Sequence, residues 1–487
     1  MNAIAPQSLS PNQNDNQSER QHIAAMQNLF NAQKQAFAAA PFPTMAKRRA
    51  ALHAIKAALL ARQDTLIEAL ATDYGDRSAD DSRISDIMPV INHINYTLSH
   101  LKGWMKPSRR HAGILLAPAS VKVEYQPKGI IGIIVPWNFP VMLSLGPLVT
   151  AIAAGNSAML KMSEFTPATN KVLKAMLAKV FNEQEVAVIE GEAEVAAAFS
   201  SLPFDHILFT GSTAVGKHVM RAASANLTPV TLELGGKSPV IVAPDMDMDT
   251  AVERLIYGKC LNAGQICVAP DYVLVPQGKE SAFISAYQAK FAALYGKVET
   301  NKDYGAIINE RQWQRLMAVL DDAKARGAEV HSASGEAPLH PIRKLPTQLL
   351  TKVNDDMLVL QEEIFGPLLP VIPYATLDEA IAYINARPRP LALYLMSFDG
   401  NTQDKVLKLT HSGGVCINET VFHVAADDAP FGGIGPSGMG HYHGEEGFRT
   451  FSHAKTVLKR GRLNTGKMVH PPYGNAIQKL LMKVFLR

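Results

Sequence analysis

From Gly129 to Leu160 the chain carries no charged residue. A run of this length has to leave water, either into a bilayer or into a protein core. A membrane span needs roughly 20 unbroken apolar residues, and here Pro136, Asn138, Pro140, Gly146, Pro147 and Asn156 interrupt the run. Proline and asparagine punctuate strands and helices, so the stretch reads as strand (Ile130 to Val135), turn, helix (Leu143 to Ala154) and strand (Ala158 to Lys161). That pattern is buried α/β core, with no stable membrane insertion.

The pattern continues with a helix from Pro167 to Phe181, strands at Ala187 to Ile189 and His206 to Thr210, and a helix from Ala214 to Ala225. Short apolar strands separated by helices imply a parallel sheet covered on both faces. The alternation restarts after Gly235-Gly236 with a strand at Pro239 to Val242, which marks a domain boundary. Upstream, Ile23 to Asp73 is alanine-rich and helical, Tyr74 to Ser78 a turn, and Asp80 to Trp104 another helix. Val121, Val123 and Tyr125 alternate with Lys122, Glu124 and Gln126, the period of a half-exposed strand. Its edge needs a partner, and Lys455 to Lys459 is the candidate, within the chain or between subunits.

With 487 residues, 47% apolar and 19% charged, the chain can build two or three cores. The net charge of +4 is spread without a basic block, which argues against nucleic acid. Three cysteines argue for a reducing compartment, here taken as cytoplasmic. Met1 to Gln21 lacks the basic start and apolar core of a secretory signal, and 1–24 is expected to be a disordered leader. Residues 477–487 alternate Leu480, Leu481, Val484 and Phe485 with Lys479, Lys483 and Arg487. This amphipathic tail suits a membrane surface or a protein surface; docking on its own subunit or the partner is the favoured reading.

Candidate chemistry begins at Asn262-Ala263-Gly264-Gln265-Ile266-Cys267. Asp247 and Asp249 offer caps for a helix whose Val252, Leu255, Ile256 and Cys260 share one face, and Gly264 is expected to end it. Asn262 and Gln265 would supply hydrogen-bond donors beside a thiol. On the local pattern alone, Cys267 is more often a small buried hydrophobe; the other motifs reverse those odds. Pro136-Trp137-Asn138-Phe139-Pro140 follows a strand, where ligands bind in open α/β sheets, and Asn138 is either a rigid oxyanion donor or part of a tight turn. Glu233 ends an apolar strand, where burial would raise its pKa toward that of a general base, against the alternative of an ion-paired structural acid. Glu363 and Phe365 offer a ribose acceptor and a ring for a flat heterocycle, or a capped turn.

Phe209 to Lys217 (FTGSTAVGK) joins a strand to a helix N-terminus and can face a phosphate. His218 stands where a nucleotide-triphosphatase needs Ser or Thr, so that activity is rejected. Gly433 to Gly438 matches Gly-x-Gly-x-x-Gly without a strand before it or a helix after it, and reads as a structural loop. Cys260 and Cys416 read as core packing. His441 and His443 lack a second ligand pair, so no metal is expected.

Together PWNFP (136–140), KMSE (161–164), FTGSTAVGK (209–217), LELGGKSP (232–239), NAGQIC (262–267) and EEIFGP (362–367) resemble the aldehyde dehydrogenase superfamily. NAGQICVAPDY (262–272), PLALY (390–394) and PFGGIGPSGMGHYHGEEGFRTF (430–451) are similar to its class 3 branch, which includes bacterial coniferyl aldehyde dehydrogenases. The resemblance implies an α/β fold with a Rossmann-type NAD-binding domain (25–105 and 128–235) and an α/β catalytic domain (236–442). It adds a small β oligomerisation extension (106–127 and 443–468) and a homodimer, and the amphipathic tail is taken as 469–487. It implies Cys267 as nucleophile, Glu233 as general base and Asn138 as oxyanion donor. Cofactor contacts would come from Pro136, Trp137, Lys161, Glu164, Gly211, Ser212, Gly216, Glu363 and Phe365. Met162 stands where the family usually has proline, which is expected to loosen that turn. The implied activity is oxidation of an aldehyde, aromatic or α,β-unsaturated like coniferyl aldehyde, to its acid with NAD, NADP being possible. The alternatives are acyl transfer to coenzyme A or a silent NAD-binding member.

Overall fold

The uncharged run divides at its prolines and asparagines. In the computed structural model, which describes residues 13–486, Ile130–Ile134 is a strand, Met142–Ala154 a helix and Ser157–Lys161 a strand. All five residues of the first strand are buried, so it is a central strand covered on both faces, as the absence of polar alternation requires.

Among the described residues sixteen strands, numbered along the chain, form three sheets. A small antiparallel sheet joins β1 (Ser108–Arg110), β2 (Ser120–Pro127) and β16 (Ser452–Lys459). The half-exposed strand thus finds its partner at Lys455 to Lys459 within the chain. The second sheet is parallel over β3 (Ile130–Ile134), β4 (Ser157–Lys161), β5 (Val186–Ile189), β6 (His206–Gly211) and β7 (Val230–Leu234). Its order is β15-β7-β6-β3-β4-β5, with β15 (Gly438–Met439) added antiparallel to β7. Chain order places β15 with the catalytic segment 236–442, but its hydrogen bonds place it on the cofactor-type sheet.

The third sheet contains β8 (Pro239–Val242), β9 (Tyr272–Pro276), β10 (Glu329–Ser332), β11 (Gln348–Thr351), β12 (Leu368–Tyr374), β13 (Ala392–Met396) and β14 (Gly414–Ile417). Its order is β10-β11-β12-β9-β8-β13-β14, and only β10 runs antiparallel to its neighbour. The α/β fold expected from the sequence is therefore the fold observed. In the second sheet β4 and β5 lie to one side of β3 and β6 and β7 to the other. Strand order reverses between β3 and β6, so a crevice opens above their carboxyl ends, where such sheets bind ligands.

Three expectations are corrected. The leader does not extend to residue 24, because a helix runs Gln13–Ala39 and a second Met45–Tyr74, parted at Pro41 and Pro43; residues 1–12 lie outside the described part. The helix expected from Asp80 to Trp104 contains a π-helical turn at Arg83–Ile87 between α-helical Ala79–Ser82 and Met88–Trp104. Such turns are favoured at functional sites, and this one faces the pocket described below. The tail is helical over Ala476–Phe485, but Ile477, Leu480, Val484 and Phe485 are exposed, so it does not dock on its own subunit. Among the described residues, no helix is long and apolar enough to cross a membrane.

Candidate active site

The helix bearing Val252 and Leu255 begins as expected, with Asp247 accepting from Thr250 N at 2.9 Å. It ends at Cys260 rather than Gly264. Asn262 (φ 49°), Ala263 (φ 52°) and Gly264 (φ 72°) then form a left-handed turn that delivers Cys267 to the pocket floor. Left-handed backbone costs a non-glycine residue about 1–2 kcal/mol, so the turn must be held from outside. Gln265 does much of this: its Nε2 donates to Asn262 O (2.9 Å) and Ala306 O (3.1 Å), and its Oε1 accepts from Ile308 N (3.0 Å). Asn262 Nδ2 donates to Asn138 O and Gln265 O, each at 3.3 Å. Net worth of about 1 kcal/mol per hydrogen bond offsets the strain. Asn262 and Gln265, expected as hydrogen-bond donors beside the thiol, spend those donors on backbone carbonyls and act as braces. Gly264 has no alternative, since a Cβ there would lie 2.6 Å from Gly366 O.

Asn138 differs from its two amide neighbours. It is buried, lines the same pocket as Cys267, and its Nδ2 reaches Gln265 O at 3.2 Å. The backbone on either side is clamped by residues that local pattern does not mark. Tyr74 Oη donates to Trp137 O (3.0 Å) and Asn138 O (2.8 Å), and Arg77 Nη1 donates to Asn138 O (3.0 Å). Arg77 also pairs with Asp86 at 2.9 Å, the two side chains being 1% and 0% exposed. Asp86 in turn accepts from Val141 N (3.1 Å) and Met142 N (2.8 Å). Burial pushes the Asp86 carboxyl above its ordinary range despite the guanidinium beside it. Such a pair adds little stability in itself, but losing one partner strands the other. Arg77→Met is expected to lower the unfolding free energy by about 3–5 kcal/mol, read from urea midpoints. Adding Asp86→Asn should recover part of the loss, because no unpaired charge then remains.

Glu233 is the penultimate residue of β7, 4% exposed, and neither carboxylate oxygen has a hydrogen-bond partner among the described residues. Burial holds its pKa well above the ordinary carboxylate value. The pairing of Gly438 with Glu233 and the Leu234 N to Ser437 O bond (3.1 Å) fix its backbone. The loop with the formal glycine fingerprint thus has a structural role, which is to lay β15 beside this acid. A Cβ on Gly432 would sit 3.3 Å from Glu233 Oε1.

Glu363 is half-buried with its Oε1 buried and unpartnered, and desolvation followed by Asp271 raises its pKa to about 8. Its carboxylate lies over Gly235, where a Cβ would fall 2.0 Å from Oε2. Phe365, held at φ 46°, meets the Trp137 ring edge-on at 5.1 Å. The Cys267 thiol is pushed up to about 12, first by burial, then by Glu363 and Glu233; the backbone N–H groups of Cys267 and Val268 act the other way. The two carboxylates and the thiol therefore share one electrostatic site.

Around the crevice, Pro136 and Trp137 follow β3 and are half-buried. Lys161, at the end of β4, is 2% exposed with Nζ on Met162 O at 2.7 Å. Burial lowers its pKa, and the nearby exposed Glu164 opposes that shift. Met162 buries its side chain in the core and anchors Lys161 through its carbonyl, so the turn is plugged rather than loosened. Ser212 caps the helix Thr213–Ser224. A Cβ on Gly211 would strike the Phe209 ring at 2.6 Å and one on Gly216 would strike Leu234 at 2.6 Å. Gly216 is required by packing of its helix on β7, and Gly211 by the Phe209 ring on its own strand. Cys260 is core, near Tyr287 Oη (3.6 Å) and Thr347 Oγ1 (3.7 Å). Cys416 is buried beside His423 Nδ1 at 3.1 Å.

The structure thus brings a thiol on an apolar pocket and a buried acid that raises its pKa together near the switch crevice of a parallel sheet. The aldehyde dehydrogenase family pattern matches residues 9–457, and the chain belongs to the aldehyde dehydrogenase family. It is 54% identical to a probable coniferyl aldehyde dehydrogenase of Pseudomonas aeruginosa, over 97% of this chain and 98% of that one. Its structure is similar to that of a substrate-bound Staphylococcus aureus AldH (TM-score 0.90, 38% identity, 95% of this chain and 99% of the other). It is also similar to a Mycobacterium tuberculosis aldehyde dehydrogenase complexed with NAD+ (TM-score 0.80, 29% identity, 89% and 90%).

Proposed function

We propose that this aldehyde dehydrogenase oxidises an aromatic or α,β-unsaturated aldehyde of the coniferyl type to its acid, with NAD as hydride acceptor. The observation that carries the mechanism is the buried, unpartnered Glu233 carboxylate acting on the Cys267 thiol beside an apolar pocket. The pocket is walled by Phe139, Met142, Leu143, Tyr257, Val268 and Phe431, among others, which suits a flat apolar body.

The crevice fits a dinucleotide. The capped N-terminus of Thr213–Ser224, with Gly211 and Ser212, suits a pyrophosphate, and Gly216 lets that helix lie close to the sheet. Lys161 and Glu164 suit the adenosine ribose, and Glu164 would repel a 2′-phosphate, so NAD is favoured over NADP. The unpartnered Glu363 Oε1 suits the nicotinamide ribose, with Pro136, Trp137 and Phe365 beside the ring. When bound, NAD supplies a hydride acceptor and a cationic ring.

The Cys267 thiolate attacks the aldehyde carbon. Asn138 Nδ2 and the Cys267 backbone N–H hold the resulting oxyanion, a contact worth about 3–4 kcal/mol elsewhere. Loss of hydride leaves a thioester on Cys267. Glu233 takes a proton from water, the hydroxide oxygen attacks the thioester carbon, and the acid leaves as the thiolate is regenerated. The direct test is absorbance at 340 nm with NAD and coniferaldehyde, benzaldehyde or hexanal. The expected order of kcat/KM is coniferaldehyde first and hexanal last; turnover of hexanal alone would overturn the substrate reading.

A further inference from the structure

The pocket has a polarity that the catalytic residues do not use. Its floor, at Asn138, Phe139 and Val268, is buried, whereas Ile84, Met88 and Phe422 are 45%, 48% and 51% exposed. These three mark the mouth. Among the described residues lining the pocket, Asp427 is the only charged one. It lies on the mouth side, on the loop that follows Phe422, with its side chain 23% exposed.

Asp427 is held from behind. His93, 1% exposed, places Nδ1 3.0 Å from Asp427 Oδ1 and Nε2 2.9 Å from Thr150 Oγ1. An ionised carboxylate only accepts, so the His93 Nδ1–H donates to it, and in a neutral ring Nε2 accepts from the Thr150 hydroxyl. A buried chain from Thr150 through His93 thus fixes one oxygen of Asp427. Oδ2 has no hydrogen-bond partner among the described residues. A fixed carboxylate with a spare oxygen, alone in an apolar pocket, selects for a donor and against an anion.

We infer that Asp427 is a specificity-determining residue that accepts a hydrogen bond from a hydroxyl at the far end of a rigid aldehyde and turns away aldehydes with an anionic tail. The favoured substrates are thus 4-hydroxyaryl enals. This rests on the aryl aldehyde reading above and deepens it: the aldehyde goes to Cys267 at the floor and the phenol to Asp427 at the mouth. The phenol is the donor, so its neutral form binds and phenolate is repelled. A carboxylate that holds a substrate hydroxyl favours it over the analogue that lacks it by the worth of that charged hydrogen bond.

The test compares kcat/KM for 4-hydroxy-, 4-methoxy- and 4-carboxycinnamaldehyde in the wild type, Asp427→Ala and Asp427→Asn. Asn keeps an acceptor for His93, so it guards against a folding artefact. The wild type should prefer hydroxy over methoxy by about tenfold or more, the worth of a hydrogen bond to a charged group. Both variants should lose most of that preference, keep turnover of the methoxy compound, and improve on the carboxy compound. Opposite changes on the hydroxy and carboxy substrates are a result that mere loosening of the loop would not give. Equal losses on all three substrates, or an unchanged hydroxy preference in both variants, would overturn the assignment of Asp427. A wild type that oxidises none of the three while oxidising hexanal would overturn the aryl reading itself, and this assignment with it.

Discussion

Cys267→Ala is expected to reduce NADH formation by roughly 10⁵-fold or more, the scale seen when a covalent nucleophile is removed. Neither of the other cysteines can substitute. Cys260 is 1% exposed with its thiol pushed up to about 11, and Cys416 is buried beside His423. Alanine should leave the pocket and the left-handed turn intact, because the braces come from Asn262 and Gln265. The wild-type thiol offers a second, independent check. Burial and two carboxylates raise its pKa to about 12, so at pH 7 the free enzyme holds it neutral. Only the thiolate reacts with iodoacetamide. Alkylation mapped to Cys267 should therefore rise about tenfold per pH unit between pH 7 and 9, and should be faster with NAD present. Retention of activity by Cys267→Ala would end the thiol mechanism for this chain.

What the sequence made legible is what lies close together in the chain. The breakers in the uncharged run announce β3, the following helix and β4, and the alternating residues of β2 announce an edge in need of β16. The motifs follow strand ends, which is why so many surround one crevice. What stays hidden depends on distant partners. No propensity would place Ala263 at φ 52°; that conformation is imposed by Gln265 reaching Ala306 and Ile308 and by the close carbonyl of Gly366. Glycine often stops a helix, which makes Gly264 the natural choice, yet the helix has already ended at Cys260. Arg77 and Asp86 clamp a loop more than fifty residues away, and His93 fixes Asp427 across the chain. Arg77, Asp86 and His93 all sit in stretches with no local oddity. The context of the glycines at 432–438 argues against a phosphate loop, but that they hold β15 against Glu233 is visible only in the sheet.

Glu233→Gln should separate the two halves of the reaction. Glutamine fits the same volume but cannot take a proton, so hydride transfer proceeds once and hydrolysis stalls. The expected trace at 340 nm is a burst of NADH equivalent to the enzyme sites, followed by a steady rate lower by about 10²- to 10⁴-fold, the usual worth of a general base. Mass spectrometry of the stalled enzyme should find the acyl group on Cys267. The pH dependence follows from burial. With its pKa well above the carboxylate range, Glu233 is mostly protonated at low pH and gains its role as base as pH rises. Wild-type deacylation should therefore climb with pH from the acid side toward that raised pKa, and the residual Glu233→Gln rate should lose this dependence. The isolation of Glu233 from any partner is what makes the sign definite: an ion-paired acid would have its pKa lowered and would show no such climb. Absence of a burst would place Glu233 before hydride transfer and assign hydrolysis to another group.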